Sequence, residues 1–400
     1  MNKKALAYFQ SGGPTTVINS SLYGVIAEAF KHPEIGGVYG SLYGVEGLID
    51  DNLVDLRKED LEQIELLKQT PGAALGSSRK KLPGVEDPLF AKIIDTIERR
   101  NIGYLLVNGG NDTMDTCYRL DSFFKDQKMD VKVIGIPKTI DNDLMATDHC
   151  PGYASAARHV LNFVKMAVVD GKAYRRGKIV LVEIMGRNAG WLTASADLLD
   201  EDERPDLIYL PESPFSLDGF LEDVKEVYER KGYAVVVLSE GLDLPRKNAG
   251  GTDSFGHSSL EGVSIHLAEA IKEKLGIGVR SMELSLPQRA DPILASKIDI
   301  EEAILLGKEA VKALLAGESG EMVAIKRLSS DPYRREIFLA PVAEVANAEK
   351  FFPREWIVSS SRLSDEFRDY LRPLVMTATH VQYDDDGVFL SAKLRLEKVR

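Results

Sequence analysis

Short apolar runs at residues 5–9, 102–107, 131–136, 179–184, 207–210 and 234–238 read as strands, and segments with helical spacing of their apolar residues alternate with them at 16–30, 113–125, 153–169, 217–230 and 260–274. A chain patterned this way forms parallel sheets with helices on both faces. With 400 residues, 44% of them apolar, it is long enough for two core-forming lobes. In such open α/β sheets ligands bind beyond the carboxyl ends of the strands. The loops that follow the predicted strands are therefore where chemistry is expected.

Composition narrows the classes. No long uncharged apolar stretch is present, so a soluble protein that does not enter a membrane is expected. The net charge of −12 argues against non-specific nucleic-acid binding and leaves room for a local cationic pocket. Met1-Asn2-Lys3-Lys4 runs straight into a strand with no secretory h-region. Two cysteines, Cys117 and Cys150, make no disulfide framework and no metal-ligand spacing, so a reducing cytoplasm is the expected compartment. No short repeat or low-complexity tract interrupts the chain. Residues 246–259, rich in Gly, Ser and Asp, read as a surface connection or a mobile loop.

Five strand ends carry chemistry-bearing residues. Gln10-Ser11-Gly12-Gly13-Pro14 follows the first strand, and its glycines suit either an anion cradle or a plain tight turn. Gly109 to Thr113 contributes Asn111 and Asp112. Lys138-Thr139-Ile140-Asp141-Asn142-Asp143 sets two carboxylates on one face of an extended segment beside a lysine, which suits a proton acceptor next to a metal-holding group; an Asx-rich turn capped by its own side chains is the other reading. Arg187 leaves the strand at 179–184 where it could clamp a phosphoryl oxygen bidentately, or lie solvated on the surface. Glu240 ends the strand at 234–238, where it could accept from sugar hydroxyls. Arg79, Arg280 and Arg289 add cations, each of which alone also reads as a solvated charge.

Taken together, Ser11-Gly12-Gly13, Gly76-Ser77-Ser78-Arg79, Gly109 to Thr113, Thr139 to Asp143, Met185-Gly186-Arg187, Glu240-Gly241 and Gln288-Arg289 resemble the phosphofructokinases, in the family's order and over about residues 4–345. The resemblance implies two Rossmann-like three-layer α/β/α lobes with mainly parallel sheets. It implies a donor-binding lobe at 1–154 plus about 288–345, and a sugar-phosphate lobe at 155–287 plus about 346–400. It further implies transfer of a phosphoryl group to the 1-hydroxyl of fructose 6-phosphate. Asp141 would be the base, with Arg187 and Lys138 in the catalytic group. Gly12, Gly13, Arg79, Gly110, Asn111, Asp112, Thr113 and Lys138 would meet the donor. Thr139, Asp141, Asp143, Lys178, Met185, Gly186, Arg187, Glu240, Arg280 and Arg289 would meet the sugar phosphate, some of these cations coming from a neighbouring subunit. A homo-oligomer, dimer or tetramer, with a shared site is therefore expected, with Mg2+ held by Asp112 and Asp143.

Two residues bear on the donor. Asp112 stands where ATP-using members carry glycine, and Lys138 likewise, whereas pyrophosphate-using members carry aspartate and lysine there. A carboxylate beside a nucleotide α-phosphate costs on the order of several kcal/mol, roughly a thousandfold in affinity, so pyrophosphate is the expected donor. Asn111 departs from the aspartate that helps bind magnesium in many members. Leu286 loses a polar contact of the 6-phosphate side, and Lys178 replaces an arginine. An ATP-dependent sugar kinase of the same fold and a non-catalytic regulatory subunit are the alternatives. The segment after 345 receives no function from the resemblance.

Overall fold

The computed structural model describes residues 3–84, 86–244 and 262–400. The loop expected at 246–259 lies outside them.

In chain order the strands of the two main sheets are β1 (Ala5–Gln10), β2 (Val38–Ser41), β3 (Leu53–Asp55), β4 (Ile102–Gly109), β5 (Lys132–Pro137), β6 (Ile179–Ile184), β7 (Leu207–Tyr209), β8 (Ala234–Ser239), β9 (Val279–Glu283), β10 (Glu321–Ser330) and β11 (Tyr333–Pro341). The longer helices are α1 (Ile18–Ala29), α2 (Pro88–Arg99), α3 (Asn111–Asp126), α4 (Tyr153–Gly171), α5 (Leu217–Lys231), α6 (Val263–Leu275), α7 (Lys297–Leu315) and α8 (Asp365–Val375). The first sheet runs β11-β10-β5-β4-β1-β2-β3 and the second β7-β8-β6-β9. Pairing is parallel throughout the second sheet. In the first, β3 and β11 alone run antiparallel to their neighbours, one at each outer edge.

Strand alternation builds a core on each face of each sheet. Ala5, Ala7 and Phe9 of β1 pack with α2 and α3, whereas Leu6 and Tyr8 pack with α1 and α7. In the second sheet Val180, Val182 and Ile184 of β6 join α4 and α8, and Ile179 and Leu181 join α5 and α6. Both lobes are therefore three-layered α/β/α units, as the strand-helix alternation predicts. Because central strands are buried on both faces they read as continuous apolar runs, which is why β1, β4, β5, β6 and β8 were legible. Helix starts away from the cleft are capped by side chains: Asp87 accepts from Leu89 N–H, Ser216 from Gly219 N–H and Ser364 from Phe367 N–H.

Several elements escape the sequence reading. β2 and β3 are four and three residues long, too short for periodicity. β9 is an exposed edge strand of mixed polarity, and β11 alternates partly buried with exposed residues along its length. Expected together with the second lobe, residues 346–400 divide: α8 packs on the second sheet, but the end of the chain lies along the first, where Val399 N–H donates to Leu53 O at 3.0 Å and Lys398 bridges Val54. Among the described residues no helix is long and apolar enough to cross a membrane.

Candidate active site

The carboxyl ends of β1, β4, β5, β6 and β8 open on one cleft of about 750 Å³. Gly12, Gly13, Arg79, Gly110, Asn111, Asp112, Thr113, Lys138, Thr139, Asp141, Asp143, Met185, Arg187, Glu240 and Arg289 all line it. Residues that are scattered in sequence and expected to act together are thus brought together.

The β1 loop is shaped by backbone conformation and by what crowds it. Gly12 sits at φ +77°, and a Cβ on Gly13 would lie 2.9 Å from Arg289 Nη1 and 3.7 Å from Arg79 Nη2, so the Arg289 guanidinium would have to shift for it. Lys138, buried, donates from Nζ to Gly13 O at 2.6 Å. Three cations therefore converge on one loop. Gly12 N–H itself donates to Ser78 O at 3.0 Å, and Ser77 Oγ donates to Gly12 O at 2.6 Å. These bonds fasten the 76–79 turn to the β1 loop and so place Arg79, while taking Gly12 N–H away from any anion.

Asn111 to Thr113 form the first turn of α3 rather than a loop, its N-cap being Gly110 without a side-chain cap. That helix end presents its dipole to the cleft, with Asp112 in the same turn. The amide of Asn111 is engaged elsewhere: its Oδ1 accepts from Asn347 N–H at 2.9 Å and its Nδ2 donates to Ala348 O.

After β5, Asp141 N–H donates to Thr139 Oγ1 at 3.1 Å. Asn142 takes φ +55° and is held there by bonds from both sides, its Nδ2 donating to Tyr370 Oη at 3.0 Å and its Oδ1 accepting from Cys150 N–H at 3.0 Å. Asp141 and Asp143 flank this pinned residue and face the cleft. Burial, then the neighbouring carboxylates Asp143 and Glu240, push Asp141 up to about 7. Burial also raises Asp143. Burial, together with Arg289, lowers Lys138 to about 8.

On the facing lobe Gly186, at φ +136°, donates its N–H to Glu240 Oε1 at 3.2 Å, and Met185 N–H donates to Gln288 Oε1 at 3.1 Å. Gly186 does not line the cleft; it turns the chain so that Arg187 does. Lys178 and Arg280 are not brought to the cleft of their own chain. Lys178 precedes β6 and Arg280 pairs opposite Val180 near the start of that strand, both exposed. At ~3.3 Å per strand residue, Lys178 lies ~20 Å and Arg280 ~13 Å from the carboxyl end of β6.

Asp143 Oδ1 is buried without a hydrogen-bond partner and Asp112 lines the same cleft, so carboxylates able to meet a divalent cation are present. Among the described residues no group of three or more His, Cys, Asp or Glu side chains is placed to hold a metal, so such an ion would rely on one or two carboxylates together with substrate oxygens and water, as magnesium does.

Cleft residues that the sequence reading missed are Pro14, Thr15, Ile140, Asn188, Ala189, Asn347, Glu349 and Phe351. Asn188 directly follows Arg187 and shared its signal. Nothing in the sequence marks residues 347–351, which reach the cleft only through tertiary packing.

The sequence profile of the family described as phosphofructokinase matches residues 5–314. A relative from Methylococcus capsulatus, named pyrophosphate–fructose 6-phosphate 1-phosphotransferase, is 39% identical and covers 92% of this chain and 90% of its own. A relative from Alkalicoccus urumqiensis, named sulfofructose kinase, is 36% identical over 88% of this chain and 91% of its own. The crystal structure of a pyrophosphate-dependent phosphofructokinase from Marinobacter aquaeolei superposes with a TM-score of 0.90 at 37% identity, covering 99% of this chain and 97% of that one.

Proposed function

The chain belongs to the phosphofructokinase family, and on that premise we propose that it moves a phosphoryl group from pyrophosphate to the 1-hydroxyl of fructose 6-phosphate, giving fructose 1,6-bisphosphate and orthophosphate, reversibly. The observation that carries the donor assignment is the placement of buried Lys138 over the β1 loop beside Arg79 and Arg289, with Asp112 in the first turn of α3. Lys138 and Arg79 about one small loop match a compact, highly charged donor. Asp112 opposes the α-phosphate of a nucleotide.

Phosphoryl transfer asks the protein for positioning, a proton acceptor and cations on the developing charge. Asp141, held by the pinned Asn142, accepts the proton of the 1-hydroxyl. Arg187 enters from the other lobe and, with Lys138 and Arg79, steadies the oxygens of the transferring group. Glu240 faces the sugar hydroxyls, one of its oxygens already fixed by Gly186. Asp112 and Asp143 are the residues that would hold Mg2+, which when bound neutralises donor charge. Arg289 serves the sugar 6-phosphate from within, and Lys178 and Arg280 serve the same group in the site of a second subunit, so the working unit is a homo-oligomer with a donor lobe and a sugar-phosphate lobe in each chain. The cytoplasm suits this reading: Cys117 and Cys150 are buried, unpaired thiols, and burial raises the pKa of both.

The test is a matrix of donors and acceptors on the purified chain, with and without chelator. Pyrophosphate with fructose 6-phosphate should give the highest kcat/KM and should lose it on removal of magnesium. The relative named sulfofructose kinase makes a sulfofructose the acceptor to include beside fructose 6-phosphate. Preference for the sulfofructose would overturn the acceptor assignment, and preference for ATP the donor assignment.

A further inference from the structure

Residues 347–351 follow β11 and lie outside the segments that carry the family resemblance, yet Asn347, Glu349 and Phe351 line the cleft. This strap is fastened first to the donor lobe. Asn347, at φ +61°, donates its N–H to Asn111 Oδ1 and its Nδ2 to Asp115 Oδ1, both at 2.9 Å and both on α3. Glu349 pairs with Leu144 in an antiparallel bridge, and Lys350 N–H donates to Asp143 O at 2.7 Å. Lys350 Nζ donates to the carbonyls of Thr147 and Asp148 at 3.0 Å. The strap and the base loop thus move as one piece.

The same residues reach the loop that carries Arg187 on the other lobe. Asn188, next to Arg187, donates from Nδ2 to Glu349 Oε1 at 2.7 Å. Trp191 Nε1 donates to Lys350 O at 2.9 Å, and Lys350 Nζ lies 5.3 Å from the centre of the Trp191 ring. Glu212 Oε1 accepts from Gly190 N–H and from the N–H of Phe352, the residue after the strap, both at 2.9 Å. Residues 188, 190 and 191 are therefore linked through residues 349, 350 and 352 to the loop that holds Asp141. Of these ties, the one nearest Arg187 is made by the Glu349 side chain, and a carboxylate acceptor makes it a charge-assisted bond. An arginine side chain is placed only as well as the turn that bears it. In a reaction that depends on positioning, a shift of about 1 Å can cost up to ~10²-fold in rate.

We propose that the 347–351 strap sets the gap between Asp141 and Arg187, with Glu349 as the positioning residue that holds the Arg187 loop through Asn188. This rests on the reading that Arg187 acts on the transferring phosphoryl group. What Glu349 supplies is an acceptor for Asn188, at a place where the chain crosses from one lobe to the other.

The kcat and KM with pyrophosphate and fructose 6-phosphate are compared in the parent, Glu349→Ala, Glu349→Gln, Arg187→Ala and the double variant Arg187→Ala, Glu349→Ala. Glu349→Ala should lower kcat about tenfold, with KM for both substrates within about twofold. Glu349→Gln, which keeps an acceptor for Asn188, should restore kcat to within about threefold of the parent. In the Arg187→Ala background the alanine at 349 should cost less than about twofold more, because no guanidinium is left to misplace. A role confined to stability would lower kcat by the same factor in both backgrounds. Parental kcat in Glu349→Ala, a glutamine variant as slow as the alanine variant, or a second tenfold loss in the Arg187→Ala background would each overturn the proposal. Parental kcat in Arg187→Ala would instead sink the reading of Arg187 on which the proposal stands.

Discussion

At the scale of single residues, Asp141 bears the most weight. Replacing it with alanine should lower turnover by ~10²–10⁴, the usual range for loss of a general base, while equilibrium binding of fructose 6-phosphate stays near parental; near-parental turnover would place the base elsewhere. Its titration gives a second handle. A base must be deprotonated, so kcat/KM should fall as pH drops through the raised value of about 7, where an ordinary carboxylate would hold activity well into acid. Lys138 must be charged, so kcat/KM should fall again as pH rises through about 8. The acid limb belongs to the interacting Asp141 and Asp143 together. A profile flat from pH 6 to 9 would contradict both assignments. These residues were legible because each follows an apolar run by two to seven positions, and a strand end in an α/β sheet faces the ligand. Lys178 and Arg280 carried the same kind of family signal, yet they lie toward the other end of β6, where a single chain gives them no ligand.

Among elements, the base loop depends on what stands behind it. Residues 148 and 149 join three parts of the molecule: His149, fully buried, meets Asp148 Oδ2 at 2.7 Å and Glu302 Oε2 of α7 at 2.6 Å, and Tyr370 of α8 donates from Oη to Asp148 O at 2.9 Å. Burial works against a charged imidazole, but Glu302 and Asp148 outweigh it and raise His149 to about 9. The charged form is thus favoured by folding. Its stabilisation is fully present below the unfolded value of about 6.5 and is lost as pH rises through about 9. Thermal unfolding of the parent should therefore show a falling Tm between those limits. His149→Ala should flatten that slope and cost ~3–5 kcal/mol for breaking a buried pair; an unchanged slope would show that the imidazole is neutral. None of this network was visible in the sequence. Asp148 and His149 are adjacent, but Glu302, Tyr370 and Arg327 of β10, whose Nη2 meets Asp148 Oδ2 at 2.9 Å, come from three later elements that only folding brings near. The strap at 347–351 was illegible for the same reason, whereas β9 and β11 were missed because exposed edges do not give apolar runs.

For the whole molecule, two sheets face one cleft, and Lys178 and Arg280 lie outside it. If sites are shared, an Asp141→Ala chain and a Lys178→Ala, Arg280→Ala chain should complement each other. Subunit exchange would then build one native site per hybrid pair and give activity above the sum of the separate variants. Verified exchange with no gain would place each site within one chain. The central claim, that this cleft passes a phosphoryl group from pyrophosphate to a sugar phosphate, is tested most directly by 31P NMR of the purified chain with pyrophosphate, fructose 6-phosphate and magnesium. The account predicts that each pyrophosphate consumed yields one orthophosphate and one fructose 1,6-bisphosphate, and that added orthophosphate drives the reaction back. Pyrophosphate left untouched while ATP in its place is consumed would contradict it.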